Sequence, residues 1–238
     1  MSQKFIFRLV GIIALININS INVFATGPEK PLIIPIPSEV RLMEGKFSID
    51  KSTFIMLPQE PGKNDNFLAQ LILSEFVDKY EQSVALTKRS TFTGKDKFIL
   101  IGDISNPLVK KFCEEKGLST SLKGLGNEGY ILSVTPENVV VASNTKNGAL
   151  YGLESLRQII SEEQGKLFIR QLMVKDSPRY PFRGIKLYLP GRENITFFKR
   201  FVKENVSTGQ NKVTFLGADS GNILGIYVID CSNFYFPK

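Results

Sequence analysis

Residues 129–160, GYILSVTPENVVVASNTKNGALYGLESLRQII, decide how the rest of this chain is read. Two apolar runs, Tyr130–Val134 and Val139–Ala142, flank Thr135-Pro136-Glu137-Asn138, which is the signature of a β-hairpin. Beyond it the period changes from two to that of a helix. From Lys146 to Glu162, Leu150, Leu153, Leu156, Ile159 and Ile160 recur on one face, and Gly165 is placed to stop the element. Gly148 and Gly152 lack a Cβ, so this helix can approach a sheet closely.

Working outward toward the N-terminus, Pro107 to Lys116 reads as a short helix with Gly117 as its C-cap. Val84–Thr87 and Phe98–Ile101 read as strands, the second an unbroken apolar run typical of a buried position in a sheet. Before them a longer helix is expected, capped by Asn64, Asp65 or Asn66 and burying Phe67, Leu68, Leu71, Ile72, Phe76 and Tyr80. Strand signals at Val40–Met43, Phe47–Ile49 and Phe54–Leu57 precede it, and Pro31 to Pro37 is extended because its prolines forbid a helix.

Toward the C-terminus, Leu167–Val174 is one more strand, and Asp176-Ser177-Pro178-Arg179-Tyr180-Pro181 is a linker. Helices interspersed among strands over about 145 residues fit one α/β (α+β) layered domain, a mixed sheet with helices packed on it. After the linker, Phe182–Leu189 reads as a strand. Asn194 then caps a helix carrying Ile195, Phe198, Phe201 and Val202. From Ser207 the periodicity fades into a Gly-rich and then apolar tail, in which Asn222–Val228 is an aggregation hazard if exposed.

Composition removes several chemistries. The 238 residues contain no histidine and no tryptophan, so histidine general-base catalysis and histidine-ligated metal are excluded, and any hydrolysis would run on carboxylates. Two cysteines, Cys113 and Cys231, make neither a disulfide framework nor a metal site, and Cys113 reads as a small core residue. The formal charge of +7 is scattered in pairs such as Lys88-Arg89 and Lys110-Lys111 rather than gathered in a stripe, so no nucleic-acid partner is expected. Gly124-Leu125-Gly126 lacks the context of a phosphate loop.

Met1 to Ala25 reads as an export signal. Lys4 and Arg8 provide the positive start, Leu9–Ile16 the apolar run and Val23-Phe24-Ala25 the cleavage site. The alternative, a membrane anchor, needs about 20 apolar residues. The expectation is therefore a secreted or periplasmic chain with no stable membrane insertion once the signal is removed.

Two stretches carry a family resemblance. Gly129–Val134 through Asn147-Gly148-Ala149-Leu150-Tyr151-Gly152-Leu153-Glu154-Ser155-Leu156-Arg157-Gln158-Ile159 resembles the end of the N-terminal domain of glycoside hydrolase family 20 β-N-acetylhexosaminidases. Asp176-Ser177-Pro178-Arg179-Tyr180-Pro181-Phe182-Arg183-Gly184-Ile185 resembles that family's approach to the first strand of its catalytic barrel. Family 84 glycosidases, with a similar N-terminal domain, are the second choice.

Beyond the signal read at 1–25, the resemblance implies the α/β domain at 26–175 and a linker and first βα unit of a TIM (β/α)8 barrel at 176–206, followed by a divergent tail at 207–238. It implies glycans bearing terminal N-acetylhexosamine as partners, and no cofactor or metal. Arg183 matches the arginine that in the family hydrogen-bonds sugar hydroxyls. The alternative is a linker arginine paired with Asp176 or Glu193. Leu187-Tyr188-Leu189 stands where the family has Leu-Asp-Val, and the following arginine is displaced to Arg192.

In the family a late Asp-Glu pair protonates the leaving oxygen and orients the substrate's acetamido group. Its His-x-Gly-Gly-Asp-Glu stretch has no counterpart here, and the 56 residues from Arg183 to Lys238 are short of the roughly 200 a barrel takes. The expectation is a truncated, inactive hexosaminidase-like chain with no catalytic residues, or alternatively a non-catalytic glycan-binding or scaffold domain. Its first barrel strand is expected to lack neighbours.

Overall fold

The structure, a computed structural model, describes residues 32–180, 183–188, 192–194, 196–198, 200–201, 212–219 and 222–230. The export-signal reading and Cys231 lie outside them. A mixed eight-stranded sheet contains β1 (Glu39–Ile49), β2 (Phe54–Pro58), β3 (Ala85–Arg89), β4 (Phe98–Asp103), β5 (Tyr130–Val134), β6 (Asn138–Ser143), β7 (Ser161–Glu163) and β8 (Lys166–Asp176). The order is β1-β8-β5-β6-β4-β2-β3, with β7 beside β8. β6, β4, β2 and β3 run parallel, whereas β5, β8 and β1 pair antiparallel.

Helices α1 (Lys63–Tyr80) and α4 (Lys146–Ile159) cover one face, and α2 (Pro107–Glu115) with α3 (Ser119–Gly124) covers the other. Alternation along the strands builds both cores. In β4, Ile99 and Ile101 face the first core while Phe98 and Leu100 face the second; in β6, Val139 and Val141 oppose Val140 and Ala142. A strand covered on both faces must be apolar throughout, which is why β4 reads as an unbroken run.

Several elements differ from the sequence expectation. The signals at Val40–Met43 and Phe47–Ile49 belong to one strand, β1, with a bulge between Leu42 and Lys46 where Gly45 takes φ +117°. The long helix is capped at Gly62, whose N–H donates to the Asp65 carboxylate at 2.8 Å, instead of by Asn64 or Asn66. Helix α4 ends at Ile159, short of Glu162. Ile160 is extended and buried, and residues 161–163 pair with β8 across a turn in which Gln164 and Gly165 both have positive φ. Strand pairing here overrides the helix propensity of Glu162-Glu163-Gln164. The six-residue α3 is too short to announce itself in the sequence.

A second sheet of three strands comprises β9 (Gly184–Tyr188), β10 (Lys212–Asp219) and β11 (Asn222–Asp230). Contrary to the expectation of a first strand without neighbours, β9 pairs in parallel with β10, and residues 196–198 and 200–201 between them are helical. β10 then pairs antiparallel with β11. The fading periodicity after Ser207 hid these strands. The connection Ser220-Gly221 is a turn-type dipeptide that could have betrayed the hairpin.

Candidate functional site

Helix α4, the segment 32–37 and the linker 176–180 enclose a cavity of about 410 Å3, within the range of small-molecule sites. The segment acts as a strap. Pro35 and Pro37 hold it extended, and Ile33 is sunk in the core at 2% exposure. Gln158 grips it at both polar groups of one residue: the Ile34 N–H donates to Oε1 at 2.8 Å, and Nε2 donates to the Ile34 carbonyl at 3.1 Å. The side-chain amide thus replaces a neighbouring strand. Further along, the N–H and hydroxyl of Ser38 donate to the same oxygen of Asp176, at 2.9 and 2.7 Å.

The floor is aromatic. Tyr130, on β5, and Ser155, on α4, are buried and share one hydrogen bond of 2.6 Å between their hydroxyls. They meet because Gly152 lets α4 lie against the hairpin. A Cβ there would stand 2.4 Å from Val141 and 3.0 Å from the Tyr130 ring. At Gly148 it would stand 2.4 Å from the Gly129 carbonyl. Burial pushes the Tyr130 phenol far above its usual range. Burial, with the nearby Glu128 charge, raises Tyr151 to about 12, against the opposing pull of Arg183.

Arg183 sits at the rim. Its Nη1 donates to the Tyr180 carbonyl at 2.6 Å and to Glu128 at 3.2 Å, and its Nη2 donates to Glu128 at 3.3 Å and to the Tyr151 hydroxyl at 3.1 Å. The guanidinium also lies over the Tyr151 ring, 5.5 Å from its centre. The carboxylate partner is therefore Glu128, not Asp176 or Glu193. Sequence reasoning missed it, although Glu128 immediately precedes one quoted motif. The two motifs are thereby joined in space: Arg183 of the second touches Glu128 and Tyr151 at the first.

Behind the wall of the cavity, Arg157 bridges helices α4 and α1. Its Nε and Nη2 donate to Oε2 of buried Glu75 at 2.8 and 2.6 Å, and its Nη1 donates to both oxygens of Glu154 at 2.9 Å. Lys79 adds a second cation to Glu75 at 3.2 Å. Glu154 lines the cavity, yet its carboxylate is held by the protein itself.

A different location satisfies the topological rule for ligand binding in α/β sheets. β2 and β4 are adjacent and parallel, but α1 and α2, which follow them, lie on opposite faces, creating a crevice at the strands' carboxyl ends. Here the protein fills its own crevice. Asn106 accepts from the N–H groups of Leu108 and Val109 and donates to Asp65 at 2.8 Å, while Asn64 donates to Asp103 at 3.3 Å. A Cβ on Gly102 would already press on Val109 and Asn106 at 3.2–3.4 Å.

Among the described residues no group of three or more His, Cys, Asp or Glu is placed to hold a metal ion, and no helix is long and apolar enough to cross a membrane. Cys113 is buried, and burial pushes its thiol up to about 11. This suits a packing residue.

Comparison with known proteins converges on one family. Residues 30–177 match the model described as glycosyl hydrolase family 20, domain 2. The β-hexosaminidase subunit beta of Entamoeba histolytica is 31% identical over 114 residues, covering 47% of this chain and 18% of that protein. The solved family 20 exo-β-N-acetylglucosaminidase of Vibrio harveyi in complex with N-acetylglucosamine superposes with a TM-score of 0.58 at 18% identity, covering 81% of this chain and 26% of that one. CpGH84B, from the second family considered, also reaches 0.58 at 17% identity, covering 77% and 29%. At such identities the structural likeness speaks for the fold alone and does not separate the two families. The chain spans less than a third of each of these relatives. The match to the domain model covers more than half of the chain, and the chain belongs to glycosyl hydrolase family 20.

Proposed function

We infer that this chain supplies the accessory α/β domain of a β-N-acetylhexosaminidase-type protein and does not hydrolyse glycosides with its own residues. One observation carries the reading: the match at 30–177 is to the family's second domain, and the chain has no histidine with which to build the family's His-x-Gly-Gly-Asp-Glu stretch. At the cavity, both oxygens of Glu154 are engaged by Arg157, and one oxygen of Asp176 is engaged by Ser38. On this reading residues 176–206 open a (β/α)8 barrel. The β9-helix-β10 parallel unit supports this assignment, and the antiparallel β11 departs from it.

The glycans in question carry terminal N-acetylhexosamine, and the chain is exported through cleavage near Ala25. Arg183 acts on sugar hydroxyls only if its guanidinium exchanges Glu128 for substrate. Otherwise it serves as the joint between linker and domain. Incubation with a chromogenic N-acetylglucosaminide tests the central point. No chromophore release above a heat-denatured control is expected, and release that a hexosaminidase inhibitor abolishes would overturn the reading. Mass spectrometry of the mature protein tests export, with an N-terminus near residue 26 expected.

A further inference from the structure

A strand that ends a sheet exposes unpaired backbone N–H and C=O groups, and folded chains normally blunt such edges by brevity, charge or a bulge. Among the described residues the edge strands are β1, β3 and β7 in the eight-stranded sheet, and β9 and β11 in the three-stranded one. All but β11 are blunted. β1 carries Glu39, Arg41, Glu44 and Lys46 and is interrupted by its bulge. β3 has five residues and ends in Lys88-Arg89, and β7 has three, two of them glutamates. β9 has five, with Lys186 at its centre. β11 is nine residues long, with no proline and no charged residue before Asp230. Its bulge, at Leu224, lies toward the turn, and Gly225–Asp230 pair with β10 in unbroken register.

We propose that β11 is a self-association edge, through which two copies of this chain join their three-stranded sheets antiparallel about a two-fold axis. The occupant is a second copy because the edge is self-complementary. With the axis at Ile226, Tyr227 or Val228, Asp230 stands opposite Asn222, Leu224 or Ile226 of the second copy, never opposite another charge. A parallel pair in register would instead set Asp230 against Asp230, and like charges directly opposite are destabilising. Antiparallel pairing about a two-fold also closes on itself, whereas joining β11 to β9 of the next copy would propagate a filament and bring Lys186 into the seam. Two three-stranded sheets make one of six strands, within the commonest range for a sheet. Because backbone pairing along a single strand makes a small interface, the dimer is concentration-dependent. It does not depend on whether the chain turns over glycosides.

Size exclusion with light scattering tests this on the full chain. A species of twice the chain mass is expected at about 0.1 mM, dissociating on dilution toward about 1 μM. Amides between Gly225 and Ile229 that do not pair with β10 should exchange more slowly with solvent as the dimer forms. Tyr227→Lys and Tyr227→Glu sharpen the test, because residue 227 lies opposite or diagonal to its own copy in each of the three registers. Either variant alone should dimerise about tenfold more weakly or worse, and an equal mixture of the two should regain the dimer through opposite charges. A variant that had merely unfolded would not be rescued by mixing. A monomer at every concentration, polymers without a dimer, exchange at these amides that ignores concentration, or mixed variants that stay monomeric would each overturn the proposal.

Discussion

Two places in this molecule meet the general requirements for a ligand site, and they end differently. The crevice at the carboxyl ends of β2 and β4 has the right topology, but Asn106, Asp65, Asn64 and Asp103 close it with bonds among themselves and to helix ends. The cavity behind the strap has no such topological pedigree. It forms where α4, the linker and the strap meet edge to edge, and only one oxygen of Asp176 at its mouth accepts from Ser38. Topology locates where a ligand could be received; whether it is depends on how many polar groups the protein has left for it.

The comparison can be broken by substitution, the largest effect coming from the frame that the cavity shares with the core. Arg157→Ala leaves Glu75 buried without its guanidinium, and a loss of about 3 kcal/mol or more is expected in chemical denaturation. A change below about 1 kcal/mol would show that Lys79 alone satisfies Glu75. In the closed crevice, Asn106→Ala removes a helix cap and the partner of Asp65, with an expected cost of about 1–2 kcal/mol. If the crevice were a waiting site, that variant would instead keep its stability.

At the strap the expected effect is local. Gln158→Ala should lower global stability by about 1 kcal/mol or less, while speeding hydrogen exchange at the Ile34 amide; unchanged exchange would refute the grip. Smallest of all, Tyr180→Ala should leave stability within about 0.5 kcal/mol of the parent, because the ring is largely in solvent. Spectroscopic titration sharpens the electrostatics at the rim. The Tyr151 phenol should ionise only near pH 12, and Glu128→Gln should move that midpoint down by removing a neighbouring negative charge.

Much of the domain was readable from local pattern. The hairpin at 130–142, helix α4 up to Ile159, the buried run of β4 and the need for glycine at 148 and 152 all follow from period, turn chemistry and side-chain size. Each is confirmed by register and close approach. Three of the misses share one cause. The bulge that fuses two strand signals into β1, the early stop of α4 and the neighbour of β9 are decided by pairing with residues distant in sequence.

At the candidate site, Arg183 was singled out for its residue type and motif. Its carboxylate partner lies 55 residues away and carries no mark of its own. The roles of Gln158 and Asp176 were likewise invisible, since an amide or carboxylate reveals nothing of what it grips until the strap lies beside it.

The sequence by itself determined the alternation of apolar residues, the turns, the exclusion of histidine chemistry and the family motifs. These are properties of residue type and spacing, which short-range sterics and hydrophobic period impose. Only the tertiary structure decided which polar groups are matched and which are left over. Hydrogen bonds of about 3 Å depend on where separate elements come to rest, and no local pattern encodes that distance.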